Sequence, residues 1–127
     1  MPEIDRQPVA DGLFTDAGLL GGACGACGRR HFPRAATCPW CGSDDVSDVT
    51  LSREGTLWAW TAVTAAPPGY EGEVPYGFGV VELAADGLRV ISRLTESDPG
   101  RLHEGMAMRF AVVPLTAATT TWAFEPA

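Results

Sequence analysis

The sequence contains no lysine: all nine of its basic residues are arginine, set against 16 acidic residues for a net charge of −7. A net negative surface repels phosphate backbones, so nucleic-acid binding would need a segregated basic patch. The only local concentration is Arg29, Arg30 and Arg34, and we read these as offsetting the charge of the cysteine cluster around them, since four thiolates holding a divalent ion keep two negative charges. The lysine gap itself is read as genome composition. No apolar run approaches the roughly 20 residues of a membrane-crossing helix, and Met1-Pro2-Glu3-Ile4-Asp5-Arg6 lacks the basic-then-apolar layout of a secretion signal, which points to the cytoplasm. Glycine-rich phosphate loops and a nucleophile elbow are also missing, and no acidic residue sits in an evident acid/base pairing with His31 or His103. An active site of the chain's own is therefore not expected.

Cysteine is confined to one stretch. Cys24-Gly25-Ala26-Cys27 and, ten residues later, Cys38-Pro39-Trp40-Cys41 hold all four cysteines. Two CxxC turns folded together supply the four ligands that tetrahedral zinc requires. Gly28 and Gly42 follow the second cysteine of each pair, where glycine lets the backbone turn back and aim amide N–H groups at sulfur. Two disulfides would need an oxidising compartment, and a redox pair would leave two cysteines unexplained. The spacing therefore reads as a rubredoxin-like zinc ribbon with Cys24, Cys27, Cys38 and Cys41 as metal ligands. Four thiolates would also take iron. They close the coordination sphere, which marks a structural rather than a catalytic metal. His31 is a spare donor beside a complete set, Phe32 is expected to pack over the site, and Trp40 either packs inward or stands out as an interface anchor.

The 127 residues, 46% hydrophobic and 20% charged, make one globular domain, or one such domain with a small metal-held appendage. We expect a mobile lead-in within residues 1–17, the ribbon over 18–50 and a barrel over 51–127. Residues 12–20 are read as one or two helical turns, kept short by Gly12 and Gly18. Leu19 to Ala23 should enter the first knuckle as a short strand, and residues 43–50 form a polar link. Strands are then expected over 56–64, 76–83, 88–95, 106–115 and 119–124, with Asp86-Gly87 as a hairpin signal. Simple alternation places Trp58 and Trp60 together on one face of the first. The Pro/Gly-rich loop 65–75 makes Tyr70 a candidate contact residue. An all-β chain of this kind, ribbon first and five strands after, predicts a closed OB-type barrel.

The order Cys24xxCys27-Gly28, His31-Phe32-Pro33-Arg34, Cys38-Pro39-x-Cys41-Gly42, Gly55, Pro67-Pro68-Gly69-Tyr70 and Leu102-xx-Gly105 resembles domain-of-unknown-function family thirty-five over residues 18–126. The resemblance implies a rubredoxin-like zinc ribbon followed by an OB-fold. It also implies a non-catalytic subunit that accompanies thiolase-like enzymes acting on acyl-CoA, such as steroid side-chain aldolases, thiolases and acyltransferases, or a MaoC-like hydratase. Such a subunit stabilises the partner or completes its substrate site, and meets acyl-CoA through it. Two other readings compete: a single-stranded nucleic-acid module stacking bases on barrel aromatics, and a stand-alone acyl-CoA binder with Arg29, Arg30 or Arg34 on the phosphates.

Overall fold

A computed structural model describes residues 7–8, 12–70 and 74–127. Most of the expected lead-in, residues 1–6 and 9–11, lies outside the described residues, as does the tip of the 65–75 loop at 71–73. The architecture is all-β, a small ribbon sheet followed by a five-stranded barrel, with one 3-10 turn at Pro99–Arg101. Among the described residues no helix is long and apolar enough to cross a membrane.

The first strand, β1 (Gln7–Pro8), runs parallel to the start of the last strand at Thr119 and Thr120. The stretch 12–20 is a hairpin, not helical turns: β2 (Phe14–Thr15) pairs antiparallel with β3 (Gly18–Cys24). Packing decides this against local propensity. Gly18 has φ 149°, and a Cβ there would lie 2.8 Å from the carbonyl of Leu51, so the chain passes too close to the barrel entry for a side chain or a helix. The hairpin also buries Phe14 and Leu19 in the common core. Two more strands flank β3: β4 (Arg30–His31) and β5 (Val46–Thr50), the latter over five consecutive residue pairs. The expected polar link at 43–50 is thus largely a strand. Its Ser and Asp side chains face water while Val49 packs on the core, a one-sided edge strand that looks like a loop in composition.

The barrel uses β6 (Glu54–Val63), β7 (Tyr76–Leu83), β8 (Leu88–Leu94), β9 (Ala107–Pro114) and β10 (Thr119–Pro126). They pair in the order β10-β8-β7-β6-β9, and β9 pairs with β10 to close the ring. Closure removes the sheet edges. Alternate residues of each strand point inward, which buries Leu57, Val81, Leu83, Val90, Leu94, Met108, Phe110 and Phe124. The inward face expected for the fourth strand is present, with Met106 and Val112 packed on Met108 and Phe110.

One expectation fails at β6. Leu57 lies opposite Val81, but Ala59 lies opposite Val80, so Trp58 is an extra residue with no partner on β7. A bulge of this kind inverts the side-chain alternation beyond it. Trp58 stays outside, 48% exposed, and Trp60 turns inward against the core with its indole N–H donating to the carbonyl of Pro99 at 3.2 Å. The two indoles do not share a face.

Ribbon and barrel share one core. Leu51 is fully buried at the junction, and Trp122 of β10 packs against Phe14 at 5.9 Å and edge-on against Phe32 at 5.7 Å. Phe32 therefore joins the ribbon to the barrel. A polar contact completes the joint. The carboxylate of Asp86, 2% exposed, accepts from Arg30 at 2.6 Å and from the backbone N–H of Ser52 at 2.7 Å. Removing it leaves the half-exposed Arg30 guanidinium and the Ser52 amide without their acceptor. Asp86→Ala is expected to cost about 1–2 kcal/mol, seen as a lower urea midpoint with unchanged slope. A loss under about 0.5 kcal/mol, the range of ordinary surface substitutions, would show that the contact carries no weight.

Candidate metal centre

Each CxxC segment closes a tight turn. The N–H of Gly28 donates to the carbonyl of Cys24 at 3.0 Å and that of Gly42 to Cys38 at 2.9 Å, and both glycines have φ 78°. That region is open to glycine and strained for other residues. The turn directs amides at sulfur: Ala26 and Cys27 donate to Cys24 Sγ at 3.3 and 3.4 Å, and Trp40 donates to Cys38 Sγ at 3.4 Å.

The four sulfurs lie within 4.8 Å of one another. Cys24 Sγ is 3.6 Å from Cys41 Sγ, and Cys27 Sγ is 3.7 Å from Cys38 Sγ. A disulfide would bring two sulfurs to about 2.05 Å, whereas ligands about 2.3 Å from a tetrahedral centre stand about 3.75 Å apart. The donor set and spacing fit a structural metal ion with four thiolate ligands. As free thiols the pair Cys24 and Cys41 titrate in opposite directions. The amides of Cys27 and Ala26 draw Cys24 down to about 6 against the effect of burial. Cys41 gains from the Ser43 amide, but its thiol partners, Cys24 foremost, and burial together push it up to about 12.

The neighbouring residues take other parts. His31 is buried and its Nε2 accepts from the backbone N–H of Ala35 at 3.0 Å, so it is a core residue of β4 and stands outside the cluster of sulfurs. Trp40 points outward, 56% exposed, with its indole N–H bound to the carbonyl of Arg30 at 3.1 Å and the Arg29 guanidinium 4.9 Å over its ring. Arg30 is held by Asp86 and Arg34 by Asp48. These two pair with carboxylates, and Arg29 rests over the Trp40 ring. Arg30 and Arg34 are likewise engaged and not presented together as a phosphate site. His103 is exposed on the 96–105 connection.

Tyr70 meets Tyr76 at 5.1 Å with the rings tilted by 55°, and its hydroxyl accepts from Arg93 at 2.8 Å. Arg93, and Asp86 as a buried tie, are the residues that sequence reasoning missed. Asp86 was legible only as a turn former, and no local pattern marks Arg93.

Comparison with known proteins places this geometry. Residues 18–47 match the family described as "ChsH2, rubredoxin-like zinc ribbon domain", and residues 48–113 match "ChsH2, C-terminal OB-fold domain". A DUF35 domain-containing scaffold protein of Pyrococcus furiosus is 36% identical over 88 residues, 69% of this chain and 63% of that protein. The benzoylsuccinyl-CoA thiolase subunit BbsA of Thauera aromatica is 34% identical over 99 residues, 78% of this chain and 64% of that protein. The chain thus spans somewhat less than two thirds of the curated relatives it matches. Among solved structures, the Ltp2-ChsH2(DUF35) aldolase superposes with a TM-score of 0.70 at 27% identity, covering 86% of this chain and 84% of that one. A DUF35-family protein of Sulfolobus solfataricus superposes with a TM-score of 0.54 at 14% identity, over 85% and 75%, a likeness of fold.

Metal binding at thiolates competes with protons. Chelation at neutral pH is expected to release one ion per chain and make four thiols reactive to a chromogenic disulfide, with loss of ordered amides over residues 18–50, and acidification toward about pH 5 should release the ion by protonating its ligands. Cys38→Ser should lower bound metal well below one per chain. A chelated protein with unchanged melting and unreactive thiols would sink the assignment.

Proposed function

This chain belongs to the DUF35 family of zinc-ribbon and OB-fold proteins, and on that premise we propose that it is the non-catalytic partner subunit of a thiolase-like enzyme acting on acyl-CoA. It stabilises that enzyme or completes its substrate site, and works in the cytoplasm. Cys24, Cys27, Cys38 and Cys41 hold one structural zinc in this reading. The observation that carries it is that two relatives sharing this architecture, BbsA and ChsH2, are named as parts of a thiolase and of an aldolase. The structure supports a scaffold role in physical terms. A closed thiolate set presents no open coordination position for water or substrate, and the ribbon is tied to the barrel by the core around Trp122 and by Asp86, so the two halves can dock as one rigid body. Zinc, when bound, supplies the cross-link for a segment too small to fold on an apolar core of its own.

The test is reconstitution. Expressed alone, the chain is expected to carry about one zinc and to turn over no acyl-CoA thioester. Mixed with a purified thiolase-like subunit from the same source, it should form a stable complex whose acyl-CoA activity exceeds that of the subunit alone. Acyl-CoA turnover by the isolated chain, or the absence of any complex, would overturn the reading.

A further inference from the structure

The four cysteines are not equivalent. The first of each knuckle, Cys24 and Cys38, is buried, and the second, Cys27 and Cys41, is exposed. Amides add to the difference. Cys24 Sγ takes two N–H groups, from Ala26 and Cys27, and Cys38 Sγ takes that of Trp40. Cys41 draws on the Ser43 amide, but among the described residues no amide donates to Cys27 Sγ. An N–H aimed at a thiolate draws off part of its charge, and a soluble oxidant reacts where thiolate sulfur is both charged and accessible. Both conditions meet at Cys27.

Across the site each exposed sulfur faces the buried sulfur of the other knuckle. Cys27 Sγ is 3.7 Å from Cys38 Sγ, and Cys41 Sγ is 3.6 Å from Cys24 Sγ. Closing either gap to the length of a disulfide takes less than about 1 Å of movement at each sulfur. Within its own knuckle Cys27 is engaged through its backbone N–H, which points at Cys24 Sγ. A bond across the site would join the 24–27 turn to the 38–41 turn, as a shared metal ion does.

Independently of the partner-subunit reading, and resting on the assignment of a metal to these four cysteines, we propose that the ribbon is a reversible oxidant-sensitive site. Cys27 is the point of attack for a hydroperoxide, Cys38 resolves it, and Cys41 closes in the same way on Cys24. The Cys27 thiolate attacks one peroxide oxygen, the O–O bond breaks and hydroxide leaves, giving the sulfenic acid at Cys27. The Cys38 thiolate then attacks the Cys27 sulfur, the S–O bond breaks and a second hydroxide leaves, so that two electrons have passed from the sulfur pair to the peroxide. Both hydroxides take protons from the solvent. A second peroxide does the same at Cys41 and Cys24. No anionic sulfur then remains to hold a metal ion, yet the two knuckles stay joined, and a thiol reductant returns the four ligands.

The test uses the reduced, metal-loaded wild-type chain. A chain that holds no metal would bring down the assignment of the centre and this inference with it, and would leave the partner-subunit reading standing. Hydrogen peroxide in small excess is expected to release the ion to a chromogenic chelator as the four thiols disappear. Trypsin acting on the unfolded, oxidised chain cuts after Arg29, Arg30 and Arg34, which leaves Cys24 and Cys27 on one peptide and Cys38 and Cys41 on another. Mass spectrometry should find these two peptides joined, with fragments that pair Cys27 with Cys38 and Cys24 with Cys41. Two separate peptides, each closed by an internal disulfide, overturn the pairing, and retained metal with intact thiols overturns the sensitivity. A dimedone probe present during oxidation should mark Cys27 ahead of the buried cysteines, and label confined to Cys24 or Cys38 contradicts the order of attack. The oxidised chain should keep the slow amide exchange over residues 18–50 that the chelated chain loses, and dithiothreitol with added metal should restore about one ion per chain.

Discussion

The buried carboxylate of Asp86 is the contact on which the relation of the two halves depends. It sits in the β7–β8 turn of the barrel, yet both groups it holds lie elsewhere: Arg30 on a ribbon strand and the Ser52 amide on the connection between ribbon and barrel. A charge at 2% exposure is tolerable only while its partners stay in place. Any rotation of the ribbon that parted Arg30 from Asp86 would strand the buried carboxylate. The aromatic contacts of Trp122 with Phe14 and Phe32 supply the apolar share of the same joint, but they lack its directionality. Hydrophobic burial holds the halves together, and the ion pair sets their angle.

The ribbon depends in turn on its cysteines. Strands of two, five and seven residues around the knuckles bury Leu19 and His31 but few other side chains. Apolar area on this scale does not offset the conformational entropy of ordering some thirty residues. A metal held by the four cysteines would supply the difference, and Asp86 ties the ribbon strand of Arg30 to the β7–β8 turn of the barrel.

What could be read in advance follows from the range of the interactions concerned. Cysteine spacing is local and chemically exacting, so the ribbon was legible at residues 24–42. Strand alternation is local too, and the β7 span Tyr76–Leu83 emerged as expected. The misreadings arose where a distant neighbour decided. Gly18 is extended because Leu51 passes close by, and residues 46–50 become a strand because β3 offers an edge. Arg30, grouped by sequence with Arg29 and Arg34, finds its partner 56 residues away. No window on the chain contains these pairs.

The bulge at Trp58 has a consequence for how such a chain can change over generations. Beyond residue 58 the inside and outside of β6 are set by counting, as a reading frame is. Because Leu57 and Ala59 already oppose consecutive residues of β7, Val81 and Val80, loss of Trp58 alone would close the bulge and leave Ala59, Trp60 and Thr61 on the sides they hold now. A single-residue insertion or deletion past Trp60 has no such slack to absorb it and would turn over the rest of the strand. The bulge is thus a place where β6 can lose a residue and keep its two faces.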